Sequence, residues 1–520
     1  MRATLFSVTL AVCSLGVAEA LDVLYVVDYS YGNLFPFYGT GKALQARGHH
    51  VAIAGVDELR SDIEKAGFDF VSAGPSEHSS EDLKQILYEN MDDFIGVMNA
   101  LEPVFTSWHK SMGQALHAQY VGPSKTLQRP DVIITVVGAW AGKDLADLLE
   151  APLHIWYVPT CIFDMDEPPF YARVPTPISG LPAKGTFLQR AQNVVMRALF
   201  GLLADQLIAE PNQIRAELGL GSAGSPFSYG GISPAIVLTS FGFEVARSLP
   251  PHVKLVGPVV REATPLAESV QQWVEADDSP VVYVAMGTIM QVSTEKAAAI
   301  TRGLLRVPRV RVLWSTSAPY ANEALATLSP AQQARVMVAP FVAQVALLQH
   351  ANVKAFVSHC GANSLYESLY AGTPVLALPL ALDAFDLSAR ATESGAAMLM
   401  DYKLLTADSV FEAASHMLSH PSFAERAHWV AGILKASGGG EAAATYVEYL
   451  AEFGFDHLVP VQRQQASSAF AYYQGDVMLF LGAIVLVLVL LLVKLLRMGW
   501  ACCCGGSKGA SEANKKKKMC

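Results

Sequence analysis

The chain has 520 residues, 52% of them hydrophobic and 16% charged, too long for one ordinary core and suggestive of about two domains. A formal charge of −10 and a pI near 5.7 argue against a nucleic-acid partner, because phosphate backbones are bound by a basic face. The mean hydropathy of +0.30 traces partly to the two ends of the chain.

Residues 1–20 open with Met1-Arg2, continue through the apolar Leu5–Val17 and end in Ala18-Glu19-Ala20, the order of a secretory signal peptide. Leu21–Asp28 follows as a short apolar run rich in β-branched residues, the mark of a buried parallel strand. Gly39-Thr40-Gly41, a helix over Lys42–Arg47 and a second strand at His50–Ala54 come next. Residues Ser72–Gln128 are mixed in character and read as helical insertions shaping the pocket of the first domain. A third strand, Asp131–Val137, precedes a helical pattern at Ala139–Leu149. Strands alternating with helices predict an α/β domain on a parallel sheet.

The pattern restarts after Gly257-Pro258 and the charged stretch Arg261–Pro280. Pro280–Met286 is a strand, Gly287-Thr288 a tight turn and Glu295–Leu305 a helix. Further strands are expected at Val310–Trp314, Val336–Val338, Ala355–Val357 and Pro374–Leu378. Two such halves imply a cleft between them. The expected organisation is an N-terminal domain over 21–250, a C-terminal domain over 251–455 and a return segment over 456–475. A transmembrane helix over 476–496 and a cytosolic tail over 497–520 complete it.

The span itself rests on Val477–Val493, uncharged and rich in Leu and Val, extended to Leu496 by a snorkelling Lys494. Tyr472, Tyr473 and Trp500 flank it as interface aromatics do. Arg497, Lys508 and Lys515–Lys518 place the tail in the cytosol by the positive-inside rule, and so place residues 21–476 in the lumen. The terminal Lys517-Lys518-Met519-Cys520 resembles the dilysine retrieval signal of the endoplasmic reticulum. Of seven cysteines only Cys161 and Cys360 are expected in the lumen; Cys502–Cys504 could take a palmitoyl group or simply extend the interface. The chain contains no Asn-x-Ser/Thr sequon.

The segment from Phe341 to Ala384 carries the chemistry. Strand Lys354–Ser358 runs into His359-Cys360-Gly361, and a helix begins near Asn363, so the N–H groups of Gly361, Asn363 and Ser364 form a ready anion site with His359 beside it. Taken alone, Ser364 and Glu367 also fit a capping box that needs no ligand.

The forty-four positions of this segment match, without a gap, the donor-binding signature of the UDP-dependent glycosyltransferases, the family of animal UDP-glucuronosyltransferases and plant secondary-metabolite enzymes. The resemblance extends to Arg47-Gly48-His49, Asn212–Leu220, Leu255–Pro258, Val281–Gly287 and the membrane end. It implies the GT-B fold, two Rossmann-like domains facing a cleft, with a UDP-sugar as co-substrate and neither a further cofactor nor a metal. By this resemblance Phe341 stacks on uracil, Gln344 reads the nucleoside, and Glu367 accepts the ribose hydroxyls. His359, Gly361, Asn363 and Ser364 hold the diphosphate together with Gly287-Thr288, and Asp383 bonds the sugar.

The family's inverting reaction uses a His base oriented by an Asp. Here the base position falls on Asn33, or on Tyr31 in an alternative register, and the partner position on Val136. The glutamine that usually closes the signature is Ala384. Asp28, at the end of the first strand, could act as a base if its loop brought it near, and otherwise reads as a strand-end carboxylate capping a turn. The expected function is transfer of a hexosyl or glucuronosyl group to a lipophilic small molecule on the lumenal side of the endoplasmic reticulum membrane. Amines, which react without prior deprotonation, suit a site that lacks the usual base. A non-catalytic UDP-sugar binding protein partnering an active relative is the alternative, and a lipid carrier a weaker third. A homo- or hetero-dimer through the single span is compatible with this architecture.

Overall fold

The computed structural model describes residues 19–28, 30–76, 78, 80–89, 94–161, 174–222, 233–287, 292–326, 328–459 and 475–505. The signal peptide, most of the return segment, the lysine-rich tail and Thr288 therefore lie outside the described residues. The described chain forms two units, one ending at His457 and one beginning at Leu458.

The first unit holds two parallel sheets. Strands β1 (Asp22–Val26), β2 (His50–Gly55), β3 (Asp69–Ser72), β4 (Val132–Val136), β5 (Leu153–Val158), β6 (Ala235–Val237) and β7 (Val253–Leu255) form the first, in the order β3-β2-β1-β4-β5-β6-β7. Strands β8 (Val281–Ala285), β9 (Arg311–Ser315), β10 (Val336–Ala339), β11 (Val353–Ser358), β12 (Val375–Ala377) and β13 (Ala397–Leu399) form the second, in the order β10-β9-β8-β11-β12-β13. Helices cover both faces, which is why β4 and β8 are buried at every position and read as unbroken apolar runs. The strands expected from sequence sit within two residues of their anticipated ends. The strands β3, β5, β6, β7 and β13 were not anticipated.

Strand order reverses between β1 and β4 and again between β8 and β11. Open parallel sheets bind ligands beyond the carboxyl ends of their strands at such switch points. The Asn33 and Val136 positions belong to the first, and the Gly287 and His359 positions to the second.

Three features differ from the sequence reading. Helix Tyr31–Ala46 runs unbroken through Gly39-Thr40-Gly41, where the expected helix covered only Lys42–Arg47. Those glycines serve packing: a Cβ at Gly39 would overlap the Val259 side chain, and one at Gly41 would lie 2.6 Å from Phe68. Asn33 consequently sits in the first turn of a helix. Second, the first sheet passes the expected boundary at 250, because Val253 pairs in register with Ala235. Third, helix Gly439–Phe453 packs back on helix Tyr31–Ala46, where Arg47 bonds Glu441 at 2.6 Å and Glu448 at 2.5 Å.

The insertion between β3 and β4 is helical, as expected, with helices Ser80–Glu89 and Phe94–Tyr120. Leu101, Val104 and Trp108 of the longer helix pack with Leu83 and, from the second half, Ala381 and Leu382. The second unit contains helix Gly475–Gly505, whose 22-residue segment Val477–Met498 includes an 18-residue stretch of mean hydropathy 3.1. At about 1.5 Å per residue this is long enough to cross a bilayer core.

Candidate functional site

At the carboxyl end of β11, His359, Cys360 and Gly361 turn the chain into helix Ala362–Ala371, with Gly361 as N-cap. The N–H groups of Ala362, Asn363 and Ser364 open that helix without intrahelical partners. No side-chain cap is formed, and Ser364 and Glu367 both lie inside the helix, so the capping-box reading does not hold. Cys360 takes φ +63°, a left-handed conformation that residues with a Cβ adopt at a cost and that clusters at functional sites.

The His359 ring is held in a slot between two glycines. A Cβ at Gly287, whose φ is +77°, would lie 2.6 Å from His359 Cε1, and one at Gly361 would overlap Nε2. Burial pushes the His359 pKa down to about 4, so the imidazole is neutral near pH 7. Its Nδ1 is buried and has no hydrogen-bond partner among the described residues.

Gln344 and Glu367 come together in the fold. Glu367, 2% exposed, accepts a hydrogen bond from Gln344 Nε2 on Oε2 at 2.7 Å. The same Nε2 lies 3.3 Å from Ser364 Oγ, and Tyr283 donates its hydroxyl to Gln344 Oε1 at 3.1 Å. The other carboxylate oxygen accepts from Arg261 Nε at 2.9 Å, a partner that sequence reasoning missed because Arg261 read as part of a charged linker. Phe341 lies nearby in sequence with 82% of its surface exposed.

Asp383 is the N-cap of helix Ala384–Glu393, and Leu382 before it takes φ +50°. Thr160 of the first half donates its hydroxyl to Asp383 Oδ2 at 2.5 Å, and burial raises the carboxyl pKa above its ordinary value. Ala384 is buried at the start of the helix.

Asn363 reaches across the cleft and donates from Nδ2 to the carbonyl of Gly32 at 3.1 Å. The reason is local: Pro36, four residues after Gly32, has no N–H, so that helix carbonyl lacks its usual intrahelical donor.

The positions expected for the catalytic pair lie at the first switch point. Val136 ends β4 and is fully buried. Tyr31 donates its hydroxyl to Asp62 at 2.9 Å and so is committed elsewhere. Asn33 donates from Nδ2 to both oxygens of Asp28, at 3.1 and 2.9 Å, and Ser30 N–H donates to Oδ1 at 2.9 Å. Asp28 does cap the turn, as expected. It is also buried, and desolvation outweighs its hydrogen bonds and pushes its pKa up to about 6.

Comparison with known proteins bears on the family and the fold. The family model for UDP-glucoronosyl and UDP-glucosyl transferases matches residues 57–510. The chain is 25% identical over 490 residues to 2-hydroxyacylsphingosine 1-beta-galactosyltransferase of Rattus norvegicus, across 91% of this chain and 88% of that one. It is 28% identical over 389 residues to UDP-glucuronosyltransferase 2A3 of Cavia porcellus, across 70% and 69% respectively. Two solved structures share the fold. The glycotransferase of kitacinnamycin has a TM-score of 0.61 at 19% identity, covering 85% of this chain and 100% of that one. The calicheamicin glycosyltransferase CalG4 has a TM-score of 0.60 at 18% identity, covering 84% and 99%. The chain therefore belongs to the UDP-glucuronosyl and UDP-glucosyl transferase family and is a UDP-glycosyltransferase of the GT-B fold.

Proposed function

We propose that this protein transfers a hexosyl or glucuronosyl group from a UDP-sugar to a lipophilic small-molecule hydroxyl or amine, with the UDP-sugar as co-substrate and no other cofactor. The observation that carries this reading is the joint placement of Gln344, Glu367 and the glycine-held His359 around one helix N-terminus at the β8/β11 switch point. A buried carboxylate suits a ribose diol, and open helix N–H groups suit a diphosphate. A thymidine diphosphate complex of a structural neighbour with a TM-score of 0.53 supports a nucleoside-diphosphate donor. A relative named for 2-hydroxyacylsphingosine supports a lipophilic acceptor.

In this mechanism Glu367 and Gln344 hold the nucleoside, and Phe341 offers its exposed ring to the base. Gly287, His359, Gly361, Asn363 and Ser364 surround the diphosphate, and Asp383 meets the sugar. The acceptor oxygen forms a bond to the anomeric carbon as the bond from that carbon to the UDP oxygen breaks. The hydroxyl proton passes to Asp28, the carboxylate that Asn33 holds where the family's histidine would stand. An amine acceptor attacks with its lone pair and does not require that step.

The signal peptide, the apolar helix Val477–Met498 and the terminal lysines support a single-pass protein of the endoplasmic reticulum membrane with its body in the lumen. The body should resist added protease in sealed microsomes and be cut after detergent. The function is tested by melting the full-length protein with a panel of UDP-sugars and then assaying UDP release with alcohol, phenol and amine acceptors. A raised melting temperature with one donor, and acceptor-dependent UDP release, are expected. Tight UDP binding with no release under any acceptor would convert the reading to a binding protein.

A further inference from the structure

A nucleotide diphosphate is an anion, yet the groups placed around it above supply no cation. Asn363 and Ser364 are neutral, and His359 is kept neutral by burial. Glu367 adds a negative charge of its own close by. Among the described residues lining the cavity between the halves, which include Phe35, Tyr366, Asn363 and Glu367, Arg261 carries the only positive charge.

Arg261 lies just past the Gly257-Pro258 turn where the chain crosses from the first sheet to the second. Its guanidinium is fastened at one point, by Nε to Glu367 Oε1, and sits 5.2 Å from the centre of the Phe35 ring. The terminal Nη1 and Nη2 make no hydrogen bond to a described residue, and the side chain is 43% exposed. A guanidinium offers five donors in a planar fork that fits two oxygens of a phosphate. An ionised carboxylate has about four lone-pair positions. Glu367 uses two of them, for Arg261 and Gln344, and the remaining two match two ribose hydroxyls. Arg261 therefore does not need to leave Glu367 for a nucleotide to enter.

We propose that Arg261 is a donor-binding residue, anchored through Nε on Glu367 and presenting its Nη1/Nη2 fork to the diphosphate of the nucleotide. The inference rests on the donor-site reading of Glu367. It makes the charge of the donor, rather than its base, what Arg261 recognises.

The test is calorimetry of the full-length protein in detergent with uridine, UMP and UDP, on the wild type, Arg261→Ala and Arg261→Lys. Arg261→Ala should weaken UDP by roughly 10- to 100-fold and change uridine by less than about threefold, as loss of charge-assisted phosphate contacts requires. UMP should fall between, and the salt dependence of UDP binding should flatten. Arg261→Lys keeps the charge and volume, so it serves if the alanine variant does not fold; without the fork it should still bind UDP several-fold more weakly at unchanged uridine affinity. Equal losses for uridine and UDP would mean that Arg261 acts only by holding Glu367, and would overturn the proposal. Unchanged or tighter binding of both would overturn it in favour of an arginine that merely occupies the ribose carboxylate. A wild type that binds no UDP is a distinct result and overturns the donor-site reading itself.

Discussion

Replacing the Asp28 carboxylate by an amide separates a residue that stabilises the fold from one kept for chemistry. The carboxyl is 6% exposed, and its pKa rises from an ordinary 3.8 to about 6 in the folded protein. At roughly 1.4 kcal/mol per pKa unit, keeping it ionised costs the native state about 3 kcal/mol. The sign is set by which state ionises first. Below pH 3.8 both states are protonated and nothing is lost. As pH rises from 3.8 to 6 the unfolded chain ionises while the folded one resists, so stability falls, and above pH 6 the loss is complete. The amide cannot ionise, yet it retains an oxygen for the Ser30 N–H. Asp28→Asn should therefore melt higher than the wild type at about pH 7.5, with the gap closing towards about pH 4. The same variant should lose roughly 100-fold or more of its turnover with alcohol acceptors, the usual contribution of a general base, while amine turnover and UDP binding hold. The assay is the thermal midpoint of the full-length protein at about pH 4, 6 and 7.5, paired with UDP release. A stability gap independent of pH would refute the argument about burial. Unchanged alcohol turnover would refute Asp28 as the proton acceptor.

Other expectations concern the second half of the site. Glu367→Gln should weaken uridine and UDP alike by roughly 10-fold or more, read by calorimetry, because it removes the charge behind the ribose contacts. Gly287→Ala places a methyl 2.6 Å from His359 at a φ of +77°, and should lower stability by about 1–3 kcal/mol and abolish the donor-induced rise in melting temperature. For His359 the ordinary 6.5 falls to about 4, so the unfolded chain protonates first on acidification. Relative to His359→Asn, which lacks this group, the wild type should lose about 3 kcal/mol of stability as pH falls from 6.5 towards 4, read as the difference between the two proteins in a pH series of melting curves.

The two α/β halves, the donor segment and the apolar span were legible from residue order alone, because their signals are local. Buried parallel strands such as Val132–Val136 and Val281–Ala285 are unbroken apolar runs, and the Gln344, His359 and Glu367 constellation lies within one stretch of chain. The helical start at Tyr31 was hidden because Gly39 and Gly41 look like turn residues until Val259 and Phe68 are seen against them. Strand β5, Leu153–Val158, escaped notice because His154, Trp156 and Tyr157 interrupt the aliphatic pattern, and all three are buried against partners from elsewhere in the fold. How the halves meet depends on packing and on nothing shorter in range. Asn363 satisfies the Gly32 carbonyl that Pro36 leaves unpaired, Thr160 bonds Asp383, and Arg261 fastens on Glu367. Each contact joins residues more than a hundred positions apart, where turn chemistry and hydrophobic period carry no information. Asp28 shows the same division: its place at a strand end was legible, but the desolvation that shifts its proton affinity came only with the packing around it.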